Sequence, residues 1–324
     1  MIPWLARRMA QAVLTFVVVT VLLFVLMRLT PGDPLERLTG DRAVSAEETA
    51  ELRARFGIDQ PIAAQFRAFV LGALTGNLGV SIEHYPTPVS TLLASRLPAS
   101  LLLGGTVILL TFGLGVSLGV LQAVRRGQRS DRWLTRASLA LYAMPSFWLG
   151  LVLAWYFGIR HHLLPVAQMH DPLLSPDAPW LMRAGDTLQH LVLPAVTLTA
   201  VSVAAVMRYQ RTALLEVLRL DFVLAARARG LPERLVLWRH AWRNALFPVI
   251  GLLGLWLPIL VSGSVFVEQV FNWPGLGSLA ANAVGARDYP VILGTAMLVS
   301  ALVLLGGILA DIGYFVLDPR VRRA

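Results

Sequence analysis

The sequence contains no cysteine and no lysine, and only 15% of its residues are charged, against roughly 25% in soluble domains. Without cysteine there are no disulfides and no thiolate metal sites. All 28 basic residues are arginine, which we read as a genomic composition bias with no mechanism attached. No GxxxxGK[ST] phosphate cradle occurs, so the chain does not hydrolyse ATP by itself, and no HExxH zinc helix is present. The net charge of +9 would suit nucleic acid if it gathered on one folded face. Instead the arginines sit between apolar runs, the pattern of membrane topology.

What the sequence has in excess is oil. Its hydrophobic fraction is 56%, where soluble chains hold roughly 45–50%. A spanning helix needs about 20 mostly apolar residues, and six stretches qualify: Met9–Met27, Ala99–Leu121, Ala137–Gly158, Leu191–Met207, Ala245–Val267 and Val291–Ala310. The expectation is therefore an all-α, polytopic membrane protein with six transmembrane helices. The first run is read as a retained anchor, because its apolar core is longer than the roughly 7–15 residues of a signal peptide and no small-residue cleavage site follows.

Loop charge sets the orientation. With the N-terminus inside, the inner segments hold 18 Arg against five carboxylates, a balance of +13, and the outer loops hold ten Arg against 13, a balance of −3. Both termini are expected to be cytoplasmic. Ionisable groups are almost missing from the spans: Asp311 lies at the inner end of the last and Glu268 at the outer end of the fifth. That excludes a proton relay through the bilayer. The six histidines all fall in expected loops, so no serine in a span has a base to activate it.

Pro145, Pro194, Pro248 and Pro258, with Gly104, Gly105, Gly113, Gly115 and Gly119, fall inside spans. Small residues let helices approach closely and Pro marks kinks, so tight packing is one reading and a hinge near a path the other. About 70 residues separate the first two spans, too many for a turn. Ser45 with Glu48 forms a capping box and Gly57 closes that helix. Asp59 or Gln60 then caps a second helix with Pro61 at its first position. Its Ile62, Phe66, Phe69, Val70 and Ala73 share a face, expected to pack on the bundle or the membrane surface. A third short helix is expected from Thr87–Pro88.

The stretch "LAARARGLPERLVLWRHAWRNAL", Leu224 to Leu246, interrupts the oil with five arginines. It reads as a helical hairpin, its first arm continuous with the fourth span and ending at Gly230, where a left-handed turn is permitted. Leu231–Pro232 opens the second arm, on which Leu235, Trp238, Trp242 and Ala245 form one stripe. Such a pair can lie on anionic lipid or serve as a lever for a partner. The sharp glycine turn and the return to the membrane at "NALFPVI" speak for the lever.

Leu224-Ala225-Ala226, three residues, then Gly230 resembles the EAA loop of type I ABC-importer permeases, with Leu in place of the leading Glu. "DFVLAARARGL" followed by "RHAWRNALFP" is similar to DYVRTARAKGL and RHALRNALLP of the oligopeptide, dipeptide and nickel subfamily. "TPGDP" (Thr30–Pro34), "TGNLGVSI" (Thr75–Ile82, with Asn77 for the usual Asp), "PSFWLGLVL" (Pro145–Leu153) and "FVEQVFNWPGLG" (Phe266–Gly277) agree with it. So do "RDYPV" (Arg287–Val291) and "DIGYFVLDPRVR" (Asp311–Arg322). The resemblance covers essentially the whole chain and looks most like the B-type subunit, which has the long first outer loop.

The resemblance implies the type I permease fold, with residues 1–95 as first span and external loop, 96–315 as the transmembrane domain with a coupling hairpin at 216–247, and 316–324 as a cytoplasmic tail. It implies a transport subunit, not an enzyme, in the bacterial cytoplasmic (inner) membrane. Its expected partners are a second permease, two ATPase subunits that bind ATP and Mg, an external substrate-binding protein and the lipid bilayer; no nucleic acid is involved. No cofactor or metal is expected in this chain. Asp221, Ala225, Ala226, Arg227, Ala228, Gly230, Leu231, His240 and Asn244 carry the coupling motif. Ser262, Gly263 and Ser264, a small polar break in the fifth span, are the candidate substrate path together with Glu268. Di- and oligopeptides are the leading cargo; nickel chelates, glutathione or another small solute are the alternatives. A channel or secondary carrier without an ATPase is the remaining one.

Overall fold

Residue-level propensities explain where the helices of the computed structural model begin and break. It describes residues 2–29, 59–175, 177–262 and 265–317, with isolated residues between 47 and 54. In chain order the helices are α1 (Ile2–Leu29), α2 (Ile62–Leu74), α3 (Val89–Val124), α4 (Arg129–Ala143), α5 (Ser146–Leu153, continued by a π-helix at Ala154–Arg160) and α6 (Trp180–Val217). There follow α7 (Asp221–Ala228) and α8 (233–245, with a π-helix at Val236–Trp242). Then come α9 (Phe247–Ser262), α10 (Val265–Val270), α11 (Leu276–Ala286) and α12 (Tyr289–Leu317). Among the described residues there is no strand beyond an isolated bridge between Val80 and Pro88.

Four of these helices, α1, α3, α6 and α12, are long and apolar enough to cross a membrane, and the pair α4–α5 makes a fifth if counted as one span. That pair corrects the expected straight third span Ala137–Gly158: the chain bends by 101° between the two helices. The cause is Pro145, which drives the preceding Met144 out of the helical region to φ −80°, ψ 131°. Pro98 and Pro194 stay inside unbroken helices. The fifth expected span, Ala245–Val267, is divided between α9 and α10, and Gly263 and Ser264 between them lie outside the described residues.

Further differences concern the loops. Thr87–Pro88 does not start a short separate helix but leads straight into the 36-residue α3. Pro61 is the N-cap of α2 and not its first helical residue, and no side chain caps that end. His190 is not in a loop: α6 starts at Trp180, well before the expected Leu191, and places His190 on its buried side. Its Nδ1 lies 3.2 Å from the Asp186 carboxylate, which His170 also approaches at 3.4 Å. Ser45, Glu48, Gly57 and the motif Thr30–Pro34 lie outside the described residues.

The chain divides into two compact units, and the division falls within α3 and within α12. In the unit formed by 1–98 and 275–304, two residues of the expected apolar face of α2 pack on α1, while Ile62 at its start is exposed. Phe66 meets Phe24 of α1 edge-on at 5.2 Å and Phe69 stacks on it at 5.8 Å. A buried carboxylate ties the same unit together. Asp288 accepts the Ser81 hydroxyl, the Glu83 N–H at 3.1 Å and the Val291 N–H at 3.3 Å.

In the second unit the core gathers Leu103 and Val107 of α3, Leu191, Leu193 and Leu198 of α6, and Phe271 and Trp273 after α10. Trp273 is fully buried, and its indole N–H donates to the Ala99 carbonyl at 2.9 Å. Below that core α3 meets α6 through glycine. A Cβ at Gly115 would stand 2.7 Å from Val206 Cβ, and one at Gly119 would stand 2.6 Å from the Met207 carbonyl oxygen. This is the small-xxx-small crossing that lets helix backbones touch, so at these two positions the packing reading of the glycines holds.

Candidate functional site

The basic hairpin stands at the foot of α6. Its first arm is not continuous with that helix, as the sequence suggested. α6 tightens into i→i−3 hydrogen bonds at Arg219 (to Glu216, 3.1 Å) and Leu220 (to Val217, 3.1 Å). Leu220 is then extended, and α7 starts afresh with Asp221 in its first turn, where a carboxylate suits the helix dipole. The turn lets Val223 and Ala226 point inward.

The hairpin tip follows the rule for a Schellman ending. Gly230, at φ +77°, donates to the Arg227 carbonyl at 2.9 Å, and Leu231 donates to Ala226 at 3.4 Å. Across this turn Arg227 grips Glu233 with both ends of its guanidinium, Nε reaching Oε2 at 3.0 Å. That hydrogen bond, with the charge behind it, holds the Glu233 carboxyl below the usual carboxylate range and raises Arg227. Since the Glu233 value is depressed, the pair contributes at neutral pH and is lost as pH falls through the lowered value. Both side chains are well exposed, so the clamp adds little stability and mainly fixes the shape of the turn. Glu233 was absent from the sequence-derived site. Its available signal was the acid in the first turn after Pro232, directly across the Gly230 turn.

The expected stripe Leu235, Trp238, Trp242 and Ala245 does not form the inner face. Ala245 is buried and Trp242 partly so, but Leu235 and Trp238 are exposed. A π-helical turn over Val236–Trp242 is wider than an α-turn, so Val236 and Ala241, five apart, face inward together. They join Val223 and Ala226 of α7 against Val120 and Ala123 of α3 and Ala213 and Leu214 of α6. A fully buried valine is worth about 1.5–3 kcal/mol, and Val223 and Val236 both qualify. The hairpin is therefore fastened to the feet of two helices that run up through the unit.

The outer face is left to Phe222, Leu224, Leu235 and Trp238, interleaved with Arg229, Arg234 and Arg239. Exposed aromatic, aliphatic and arginine side chains of this kind have the composition of a protein contact. Of the motif residues, Ala226 is buried, Leu231 and His240 are half-buried, and Asp221, Ala225, Arg227, Ala228, Gly230 and Asn244 are exposed. The Asn244 amide donates to the His240 carbonyl at 2.6 Å. The candidate path residues are elsewhere: Ser262 closes α9, and Glu268 on α10 is fully buried with its carbonyl accepting the Trp273 N–H at 2.8 Å. Neither Ser262 nor Glu268 belongs to the hairpin, and Gly263 and Ser264 lie outside the described residues.

Known proteins are similar to this chain in sequence over nearly its whole length. A family model described as "binding-protein-dependent transport system inner membrane component" matches residues 115–323, and an N-terminal model of the same systems matches 1–101. The chain is 34% identical to the dipeptide transport system permease protein DppB of Escherichia coli, covering 99% of each chain. It is 37% identical to the di/tripeptide transport system permease protein DppB of Pseudomonas aeruginosa, again over 99% of both. With the oligopeptide transport system permease protein AppB of Bacillus subtilis the identity is 35% over 99% of each.

Proposed function

The chain belongs to the family of inner membrane components of binding-protein-dependent transport systems, and from that membership we propose the following working assembly. It is a permease subunit of an ABC importer for di- and oligopeptides, multi-pass in the bacterial inner membrane. It pairs with a second permease, receives peptide from an external binding protein and is driven by two ATPase subunits. The observation that carries this reading is the full-length identity to dipeptide and oligopeptide permeases. The hairpin at the foot of α6 adds a mechanical reason: a partner pushing on its exposed face acts directly on α3 and α6. The motif residues from Asp221 to Asn244 are the ATPase-docking element. Ser262, Gly263 and Ser264 line the peptide path, where hydroxyls need backbone, neighbours or water as partners, and the fully buried Glu268 supports that path from within the fold.

The test is reconstitution in proteoliposomes with the ATPase subunits and the binding protein, measuring uptake of a radiolabelled dipeptide. Uptake is expected only with ATP. Equal uptake without ATP would return the chain to the channel or carrier class.

The arrangement in the membrane is six spans with both termini inside, supported by the +13 against −3 loop charges. A chain without cysteine is its own null background for labelling. Ser175→Cys is expected to react with an impermeant maleimide in intact cells, and Ser130→Cys only after the membrane is opened. Labelling of the Ser130 variant in intact cells would reverse the orientation.

A further inference from the structure

Just above the hairpin, α3, α4 and α6 bury a set of polar side chains that the docking reading leaves unused. Gln210 on α6 is 0% exposed, and neither its Nε2 nor its Oε1 has a hydrogen-bond partner. The next residue, Arg211, donates through Nη2 to Asp131 Oδ2 at 3.0 Å. That same oxygen accepts the Gly127 N–H at 2.9 Å. Arg211 Nε and Asp131 Oδ1 are both unpartnered, although an arginine and a carboxylate can engage through two parallel bonds. Gln122 on α3 donates to Thr135 at 3.0 Å, and its Oε1 is unpartnered.

These atoms are complementary. The set holds two unused donors, Gln210 Nε2 and Arg211 Nε, and three unused acceptors, Gln122 Oε1, Asp131 Oδ1 and Gln210 Oε1. Buried polar groups in folded proteins are nearly always satisfied, and each exception calls for an account. The contact between α3 and α6 supplies one. It runs through Gly115 and Gly119, with the Gln210 side chain lying against Gly119. At these two positions α3 offers no side chain of its own, and α6 rests against bare backbone there. One turn further down α6, Ala213 and Leu214 carry the hairpin.

We propose that Gln210, with Gln122, Asp131 and Arg211, is a positioning group for a second packing of α6 against α3 and α4. In that packing Arg211 engages both oxygens of Asp131, and the Gln210 carboxamide pairs with Gln122. The packing seen here leaves the set half-paired. A displacement of the hairpin moves the foot of α6 and exchanges one pattern for the other, the two-arrangement behaviour on which packed interfaces switch. The proposal rests on the permease reading, since it assigns the latch to the transport cycle.

Gln210→Met keeps the volume and removes the unpartnered amide. In the purified complex with its ATPase subunits this variant is expected to raise Tm by about 2–4 °C. Uptake of the radiolabelled dipeptide per ATP hydrolysed is expected to fall at least about fivefold, the ratio that corresponds to losing one modest interaction in one state only. ATPase binding is expected to stay unchanged. Unchanged uptake per ATP overturns the proposal. So does a loss of uptake without the rise in Tm, because the amide would then be an ordinary structural group of the packing seen here. Failure of the permease reading is visible separately, as absence of ATP-driven uptake by the unsubstituted complex.

Discussion

Gly230→Val is expected to leave the chain inserted in the membrane while the ATPase subunit recovered with it falls at least about tenfold. Space is not the obstacle, since a Cβ at Gly230 would meet nothing within 4 Å. The obstacle is the backbone: φ is +77°, a region in which a β-branched residue is strained by about 1–3 kcal/mol. Relief comes only by opening the turn. That breaks the Gly230 and Leu231 hydrogen bonds to α7, pulls Arg227 away from Glu233 and changes the angle between the arms. An outer face made of two arms then no longer presents Phe222 and Trp238 in the same relative orientation. Gly230→Asn serves as the control, because asparagine enters the left-handed region more easily. The measurements are the ATPase subunit retained on the purified complex and its substrate-stimulated hydrolysis. Normal retention with normal stimulation in the valine variant would mean that the hairpin is not the docking element.

The second large effect lies at the crossing of α3 and α6. Gly119→Leu places a Cβ 2.6 Å from the Met207 carbonyl oxygen and 2.7 Å from Gln210 Cβ. The first of these neighbours is backbone and cannot turn aside. The helices must separate, which also opens the Gly115 contact with Val206. Overpacking typically costs about 1–3 kcal/mol at a single site, and here the loss spreads to both glycines and the core below. The expected result is a variant recovered in much smaller amount from detergent-solubilised membranes, with a Tm lowered by several degrees. Gly113→Leu, with nothing within 4 Å of the added Cβ, is expected to behave as the parent chain. Equal yields and equal Tm values for the two variants would show that the crossing is not held by close approach.

Much of this was legible in the sequence because the decisive quantities are local. Runs of about 20 apolar residues locate the long helices, and Gly230 is recognisable as a turn because only a residue tolerant of positive φ suits that position between two helical patterns. The packing of Phe66 and Phe69 on α1 follows from their shared face. What stayed hidden depends on competition between neighbours. The sequence reading projected Leu235, Trp238, Trp242 and Ala245 on a regular α-helix, whereas the chain widens to a π-turn that buries Val236 and Ala241. Nothing in the residue types announces that change of period. Proline was equally ambiguous: Pro145 breaks its span, yet Pro98 and Pro194 sit in continuous helices, because neighbouring helices determine whether the freed carbonyl is tolerated. The Arg227–Glu233 clamp and the half-paired glutamines required knowledge of which helices meet.

α6 has 38 residues, which at 1.5 Å per residue makes a rod about 57 Å long. It carries the hairpin just past its C-terminal end, and the bend between α4 and α5 leaves it the longest unbroken element of its unit. A stiff rod is a lever arm. A tilt of about 5° about one end of such a rod displaces the other by about 5 Å, roughly one helical turn. Small angular work at the foot is thereby returned as atomic-scale travel at the head, without any need for the helix itself to bend.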